Sequence, residues 1–340
     1  MFFLIDKENC YFCGGFSDNK NRMTNKQRYE IFCDQHPEIP LFMQAWWLDV
    51  VCLPEGKEWD VLFVEENGNI IAVMPYHFLK KWGFTVVRQP MKTQYTGLWI
   101  NYPLELKLHK RYSFEKRVMD NLIDQLEALN LSHYTQNFHY SFTNWQPFYW
   151  RGFQQTTRYT YILKNIADLD AVFENFSYAK QKHIKKENDD LQLDSTLSAD
   201  EFYNFHKECL KQKNAEIEYS QKLFTSIYDK VVERKQGIIF ALRDKNKNIH
   251  STLFFVWDSN SAYAMTSAIN PCFKSGGAST KMFWEAIKFV SKKTKIFDFE
   301  GSMIEGVAQS FQQFGAEQMP YFAISKSYSR TFDLMKKLRR

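Results

Sequence analysis

The feature that most constrains the fold of this chain is a series of elements that occurs twice. Two apolar runs, 61–64 and 70–74, flank Asn67-Gly68. This dipeptide predicts a β-hairpin, because both of its residues tolerate positive φ. A second hairpin is predicted from the apolar runs 237–242 and 249–257, which flank a polar turn. The two hairpins are the first sign of an internal duplication.

The elements that follow each hairpin strengthen this interpretation. Apolar residues at helical spacing over 113–130 predict a helix after the first hairpin, and Phe283, Ile287 and Val290 predict one after the second. The spacing Phe-x-x-x-Gly then occurs at 148–152 and at 311–315, each time before an apolar strand. We therefore predict an α/β (α+β) chain of two tandem units, each a mixed, mostly antiparallel sheet flanked by helices.

Composition and charge narrow the class of protein. The chain has 340 residues, of which 44% are hydrophobic, with 31 Phe, 18 Tyr and 9 Trp. This is enough apolar material for a substantial core and excludes a disordered or fibrous chain. The net charge is +5, and the last sixteen residues, with six Lys or Arg and one Asp, account for all of it. A uniformly basic, nucleic-acid-binding surface is therefore not expected.

These patterns predict four segments. They are an N-terminal extension at 1–28, a first unit at 29–165, a second unit at 166–326 and a basic tail at 327–340. The chain has no apolar stretch long enough for a membrane span or a signal sequence, so the expected location is the cytoplasm. The tail could lie on anionic lipid as an amphipathic helix or could be a frayed end.

Four residues near the N-terminus have the types and spacing of zinc ligands. Cys10 and Cys13 form one C-x-x-C pair, and Cys33 with His36 forms a second pair after 19 intervening residues. Such a set would suit a tetrahedral structural zinc, in a small module formed by the extension and residues 29–36. The alternative is that Cys33 and His36 belong to a helix without metal and that the first pair is incidental.

Several motifs together resemble the bacterial Fem-like branch of the GNAT acyltransferases. They lie between about Tyr29 and Lys326, at 32–33, 39–42, 46–49, 74–76, 140–150, 156–161, 257–258, 297–302 and 311–321. The resemblance implies two tandem GNAT-like domains with the chemistry near the second. It also implies transfer of an acyl group to an amine, from either an acyl-CoA thioester or an aminoacyl-tRNA ester.

The donor signature of that family is Gln/Arg-x-x-Gly-x-Gly/Ala before a helix. Gly276-Gly277-Ala278 fits its spacing, whereas Phe273 replaces the Gln or Arg. Small residues at a helix start expose backbone N–H groups to an anion. The predicted donor-binding residues are Lys274, Ser275, Gly276, Gly277, Ala278, Ser279 and Thr280. An ordinary strand-to-helix turn is the alternative.

Acyl transfer to an amine requires a proton acceptor and a path for the proton to the leaving group. Alternation over 295–300 places Glu300 at a strand end, and it is the first candidate for the general base, with Glu305 as a neighbouring alternative. His250 could relay protons, and Tyr263 could protonate a leaving thiolate. Cys272 lacks a paired base, so direct attack is preferred over an acyl-enzyme.

The leading hypothesis is a cytoplasmic bacterial N-acyltransferase. It would move an acyl group from acyl-CoA, such as acetyl-CoA, to an amine on a small molecule, a sugar or an envelope precursor. The cationic stretch 180–186 keeps an aminoacyl-tRNA donor open, although it could equally be a solvated helix. The altered position at Phe273 keeps a non-catalytic binding scaffold open.

Overall fold

The computed structural model describes residues 23–186 and 190–338. The helices are α1 (Asn25–Gln35), α2 (Ala45–Cys52), α3 (Leu108–Ala128), α4 (Gln146–Trp150), α5 (Leu169–Glu174), α6 (Tyr178–Lys185), α7 (Ala199–Lys211), α8 (Gln221–Glu233), α9 (Ala278–Val290), α10 (Glu305–Gln312) and α11 (Arg330–Leu338). The strands are β1 (Glu58–Glu66), β2 (Asn69–Lys81), β3 (Phe84–Arg88), β4 (Trp99–Ile100), β5 (His133–Asn137), β6 (Gln154–Lys164), β7 (Gln192–Asp194), β8 (Gly237–Arg243), β9 (Ile249–Trp257), β10 (Ser261–Ile269), β11 (Ile296–Asp298) and β12 (Glu317–Ser327).

The described strands form one mixed sheet in the order β1-β2-β3-β5-β12-β6-β11-β10-β9-β8-β7, with β4 paired to β2. Each half contributes an antiparallel hairpin and a third strand, β1-β2-β3 or β8-β9-β10. In each half the third strand then pairs in parallel with the strand that follows the long helix, β5 or β11. This repeated order confirms the predicted tandem fold.

The last strand of each half lies beside the other half. β12 pairs with β5 of the first half, and β6 pairs with β11 of the second. β6 and β12 also pair with each other over nine residue pairs, at the centre of the sheet. The two repeats are therefore joined by exchanged strands, and a boundary near residue 165 remains a prediction about the chain order.

Both predicted hairpins are present, and their turns follow from local chemistry. Asn67 and Gly68 have φ of 51° and 80°, the left-handed pair that such a two-residue turn needs. The predicted helix over 113–130 is α3, which begins earlier, at Leu108. The predicted strand over 295–300 is shorter than expected, because Glu300 and Gly301 adopt φ of 61° and 62° and turn the chain out of the sheet.

Three apolar clusters hold these elements together. One lies under α3 in the first half and one under α9 in the second. The third is shared, since it joins α1 and α2 of the first half to α7, α8 and β10 of the second. The two halves therefore fold around a common core.

No helix in the described part of the chain combines the length and apolar character needed to cross a bilayer.

Candidate active site between the two halves

The candidate site lies where two parallel strands of the second half separate. β10 and β11 pair only from Ser261–Ile296 to Tyr263–Asp298, and β10 continues to Ile269 without β11 beside it. The register between β10 and β9 also shifts just after Tyr263. An opening at the carboxyl ends of parallel strands is where α/β sheets commonly bind ligands.

Two carboxyl groups occupy this opening. Asp298 is fully buried, and its Oδ1 accepts hydrogen bonds from the Thr160 hydroxyl and, at 2.7 Å, from the backbone N–H of Glu300. Asp298 Oδ2 and Glu300 Oε1 are both buried, and neither has a hydrogen-bond partner among the described residues. Phe297 and Phe299 lie in the apolar core of the second half. Buried carboxyl oxygens without partners are costly, which favours a functional role.

The backbone around Glu300 is held by a close approach to β6. Gly301 has φ of 62°, and a Cβ placed on it would lie 2.2 Å from the carbonyl oxygen of Tyr159. Only glycine allows that approach. The left-handed pair at Glu300 and Gly301 therefore fixes the position of the Glu300 side chain relative to Asp298.

Burial dominates the electrostatics of the carboxyl pair. Burial raises the pKa of Asp298 to about 6, against the hydrogen bonds from the Thr160 hydroxyl and the Glu300 N–H. Burial also raises the pKa of Glu300 well above its usual range, the Asp298 charge raises it further, and the Lys92 ammonium opposes both. Asp298, with its pKa raised to about 6, can therefore exchange a proton near neutral pH.

Lys92, in the segment after β3, is a site residue that sequence reasoning missed. Its Nζ donates a 2.7 Å hydrogen bond to Thr266 Oγ1 on β10 and lies 3.8 Å from the ring centroid of Tyr219. Burial lowers the pKa of Lys92 to about 8, against the charges of Glu300 and Glu218. A single lysine in an irregular segment gives no sequence signal, because only the tertiary fold brings it from the first half into the opening of the second.

Gln94 extends the same polar network from the first half. Its Nε2 donates to Thr160 Oγ1 at 3.1 Å, and the Thr160 hydroxyl donates to Asp298. Gln94 Oε1 is buried, with no described hydrogen-bond donor in reach. Three buried oxygens, on Gln94, Asp298 and Glu300, therefore remain without partners in one network.

Tyr263, the predicted acid, is a buried residue of β10 that contacts Tyr95 and Asp258. It is 2% exposed, and its hydroxyl lies 2.8 Å from the Tyr95 hydroxyl and 3.3 Å from Asp258 Oδ2. Asp258 also accepts the backbone N–H of Leu41, so this cluster joins the two halves. Burial raises the pKa of Tyr263, and the Asp258 charge raises it further. These contacts favour a structural role, whereas the acid role stays a prediction.

His250 lies apart from Glu300, beside the predicted donor loop. Its ring stacks on Phe273 with centroids 3.8 Å apart, and its Nε2 lies 3.3 Å from Asp244 Oδ2. The backbone carbonyl of His250 accepts the N–H of Asn270, which begins that loop. Phe273, the residue that departs from the family signature, therefore packs on His250.

The predicted donor loop is a 3₁₀ turn, Pro271–Gly276, that leads into α9. Gly277 is the N-cap residue of α9, with φ of 75° and no side-chain cap. A Cβ on Gly277 would lie 2.4 Å from His183 Nδ1, so α6 packs directly against this helix start. Ala278 and Thr280 are buried in the first turn of α9, whereas Ser279 is partly exposed.

The cationic stretch 180–186 forms most of α6 and divides into two parts. Lys180 is buried, donates to Ser310 Oγ at 3.1 Å and lies over the Phe314 ring, so it is structural. Lys182, Lys185 and Lys186 are exposed and, with His183, line a cleft of about 630 Å³. The structure thus places three cations beside the start of α9.

The proposed zinc set is only partly within the described residues, since Cys10 and Cys13 lie outside them. Burial raises the pKa of the Cys33 thiol to about 11. His36 Nδ1 lies 2.8 Å from Glu38 Oε1. Across residues 23–186 and 190–338 no three His, Cys, Asp or Glu side chains are grouped to hold a metal. Zinc stays a prediction.

Comparisons with known proteins identify solved structures that share this fold. No protein-family model and no curated protein sequence matches this chain. Among solved structures it is similar to FemX, with a TM-score of 0.67, 12% identity, and coverage of 94% of this chain and 99% of that one.

Two further structures share the fold. One is the C-terminal domain of a putative lysylphosphatidylglycerol synthetase from Agrobacterium fabrum, with a TM-score of 0.53, 9% identity, and coverage of 88% of this chain and 91% of that one. The other is L-PGS from Bacillus licheniformis, with a TM-score of 0.52, 11% identity, and coverage of 92% and 96%. At these identities the likeness concerns the fold.

Proposed function

We propose that this chain transfers an acyl group from an activated donor to an amine, with the reaction at the opening between β10 and β11. The observation that carries the proposal is the pair of unpartnered carboxyl oxygens on Asp298 and Glu300, with the charge of the half-buried Lys92 acting on Glu300. The fold shared with FemX supports a transferase, and the chemistry follows from the side chains.

In this proposal Glu300 is the general base. Its carboxylate removes a proton from the attacking amine as the new N–C bond forms. The C–S bond of a thioester, or the C–O bond of an ester, then breaks, and Glu300 returns the proton to the leaving group. A well-placed general base contributes about 10² to 10⁴ in rate.

Lys92 and Asp298 have different parts in this proposal. The Lys92 ammonium stabilises the negative charge that develops on the carbonyl oxygen, because a fixed cation in a buried site costs no reorganisation. Asp298 is a positioning residue: it accepts the Glu300 N–H and raises the Glu300 pKa through its charge. The acceptor would be an amine on a small molecule, a sugar or an envelope precursor.

For the donor we favour an acyl-CoA such as acetyl-CoA, bound at 274–280. The uncapped start of α9 offers backbone N–H groups to a pyrophosphate, and the cations of α6 lie beside it. Thermal-shift titration tests this directly. Saturation at one hundred times Kd should stabilise the protein by about 2.7 kcal/mol.

An aminoacyl-tRNA donor is the second candidate. The exposed cations Lys182, Lys185 and Lys186 beside α9 favour it, as do the similar structures named for lysylphosphatidylglycerol synthesis. Charged tRNA would then bind with a steep salt dependence, and no acyl-CoA would shift the melting temperature. No response to either donor, with Glu300→Gln indistinguishable from wild type, would favour the binding scaffold.

A further inference from the structure

The C-terminal helix α11 leaves half of its apolar side uncovered. Phe332 packs against the sheet, with its ring centroid 5.5 Å from both Phe84 and His133. Leu334 and Leu338 follow at a spacing of four residues and are 61% and 80% exposed. Residues at this spacing lie on one side of a helix, so α11 presents an exposed leucine stripe next to its packed side.

The neighbouring turn exposes a tryptophan at an unfavourable backbone position. Trp82 and Gly83 join β2 to β3 with φ of 54° and 76°, nearly the angles of the Asn67-Gly68 turn. A bulky residue at positive φ is strained, and asparagine would fit the turn with less cost. Trp82 is nevertheless 58% exposed, two residues before the Phe84 that contacts α11. An exposed aromatic residue retained under strain suggests a function.

The charge of this region is positive. Lys336 and Lys337 are exposed in the last turns of α11, Arg330 begins the helix, and Lys80 lies in β2 just before the tryptophan turn. Asp333 is the acidic residue of α11, and it accepts a 2.7 Å hydrogen bond from the Ser327 hydroxyl. Cations around exposed leucine and tryptophan side chains complement an anionic, partly apolar surface.

We propose that Trp82, Leu334, Leu338, Lys336 and Lys337, here called the α11 surface, dock this protein on anionic lipid membranes. The leucine and tryptophan side chains enter the boundary between headgroups and acyl chains, and the lysines meet anionic headgroups. A folded polyanion such as RNA would use the lysines but leave the exposed apolar side chains in water, so lipid is the occupant that the surface fits.

The topology places the α11 surface on the side to which the candidate site opens. β10 and β11 are parallel, and β11 and β12 are both antiparallel to β6, so the carboxyl ends of all three point to one edge of the sheet. α11 follows β12 at that edge. Asp298 and Glu317 both pair with Ile162, so they lie at the same level of the sheet. From Glu317, β12 continues for ten residues, or about 33 Å at 3.3 Å per residue, before it ends next to α11.

Vesicle co-sedimentation of the full chain tests the proposal. Vesicles with about 30% phosphatidylglycerol in phosphatidylcholine should bind the protein, and pure phosphatidylcholine vesicles should not. Two cations contribute about 1 kcal/mol each at such a surface, so Lys336→Gln with Lys337→Gln should weaken binding about 30-fold. Leu334→Ser with Leu338→Ser should weaken it about tenfold or more. Each affected side chain is exposed, so the fold should be retained.

Matched controls come from exposed residues elsewhere. One control is Leu104→Ser, because Leu104 is 94% exposed in the loop before α3. The other is Lys211→Gln with Lys213→Gln, since both lysines are exposed. Both control variants should bind vesicles as wild type does. Binding that is equal for both vesicle types, or unchanged in the leucine double variant, would overturn the proposal. The proposal would also be overturned if Lys336→Gln with Lys337→Gln lost binding to tRNA but still bound vesicles. These readouts are independent of transferase activity.

Discussion

The two halves place different side chains beside their parallel strand pairs, β3 with β5 and β10 with β11. In the first half, beside β3 and β5, Gln136 is fully buried and all its polar groups are paired. Its Nε2 donates to Thr96 Oγ1 at 2.7 Å and to the Pro75 carbonyl at 2.9 Å, while its Oε1 accepts from Tyr134 at 2.9 Å. In the second half, Asp298 and Glu300 each keep a carboxyl oxygen unpartnered.

The packing near Gln136 in the first half also includes a close backbone approach. Gly97 has φ of 66°, and a Cβ on it would lie 2.8 Å from the Phe138 ring. The first half therefore holds a neutral side chain, Gln136, whose polar groups are all hydrogen-bonded. The second half holds two ionisable side chains, Asp298 and Glu300, whose hydrogen bonding is incomplete. Departures from complete pairing are expected at functional sites, and this difference supports the proposal that the reaction takes place in the second half.

The largest expected effect is that of Glu300→Gln on activity. Removing the general base should lower turnover by about 10² to 10⁴, while the melting temperature stays equal or rises because a buried acid is lost. Steady-state kinetics with the donor found by thermal shift, together with a melting curve, measures both. Glu305→Gln, at the exposed start of α10, is the control and should retain activity. Equal loss in the two variants would refute the assignment.

Lys92→Met should have the next largest effect. Loss of the cation that stabilises the oxyanion should lower kcat by about 10² to 10³. Lys180→Met provides a close control, because burial lowers the pKa of Lys180 to about 8 as well, yet it contacts Ser310 and Phe314 rather than the site. If Lys180→Met loses as much activity as Lys92→Met, the role of Lys92 is only structural.

Asp298→Asn should change how stability depends on pH. The folded pKa of Asp298, about 6, lies above its ordinary value of 3.8, so its favourable contribution is full below pH 4 and is lost as the pH rises through 6. Relative to wild type, the variant should therefore gain up to about 3 kcal/mol between pH 4 and 7, at about 1.4 kcal/mol per pKa unit.

Urea unfolding at four pH values between 4 and 7 measures this difference. Parallel stability curves for wild type and Asp298→Asn would contradict the raised pKa. Gln136→Glu is the matching test in the first half. A carboxyl group buried at that position should make the stability of the protein fall as the pH rises, as Asp298 does in the second half.

The smallest effects concern the two glycines that allow close approaches. Gly97→Ala should destabilise the protein by about 2 kcal/mol, because φ is positive and the Phe138 backbone cannot move away. Gly277→Ala should cost about 1 kcal/mol and weaken donor binding, since the atoms that a Cβ would meet there belong to the His183 side chain rather than to backbone. In a His183→Ala background the cost of Gly277→Ala should fall, as a double-mutant cycle would show. Additive costs would contradict the contact.

Much of the fold was predictable because its signals are local. The Asn67-Gly68 turn, the second hairpin and the apolar spacing of α3 and α9 depend on residues close in sequence. The exchange of β6 and β12 between the halves was not predicted, because strand order is set by pairing between residues that are distant in the sequence. Only part of the candidate site was predicted from the sequence. The alternation over 295–300 pointed to Glu300, whereas no sequence pattern pointed to Lys92 or Gln94.

The repeated order of elements, the buried faces and the carboxylate at the end of β11 follow from the amino-acid order alone. These features depend on backbone preferences and on the period of apolar residues, which act over a few positions. Folding in three dimensions adds the unpaired acids of the second half and brings a lysine of the first half into its opening. Burial and proximity set those pKa values, and both arise only when distant segments pack together.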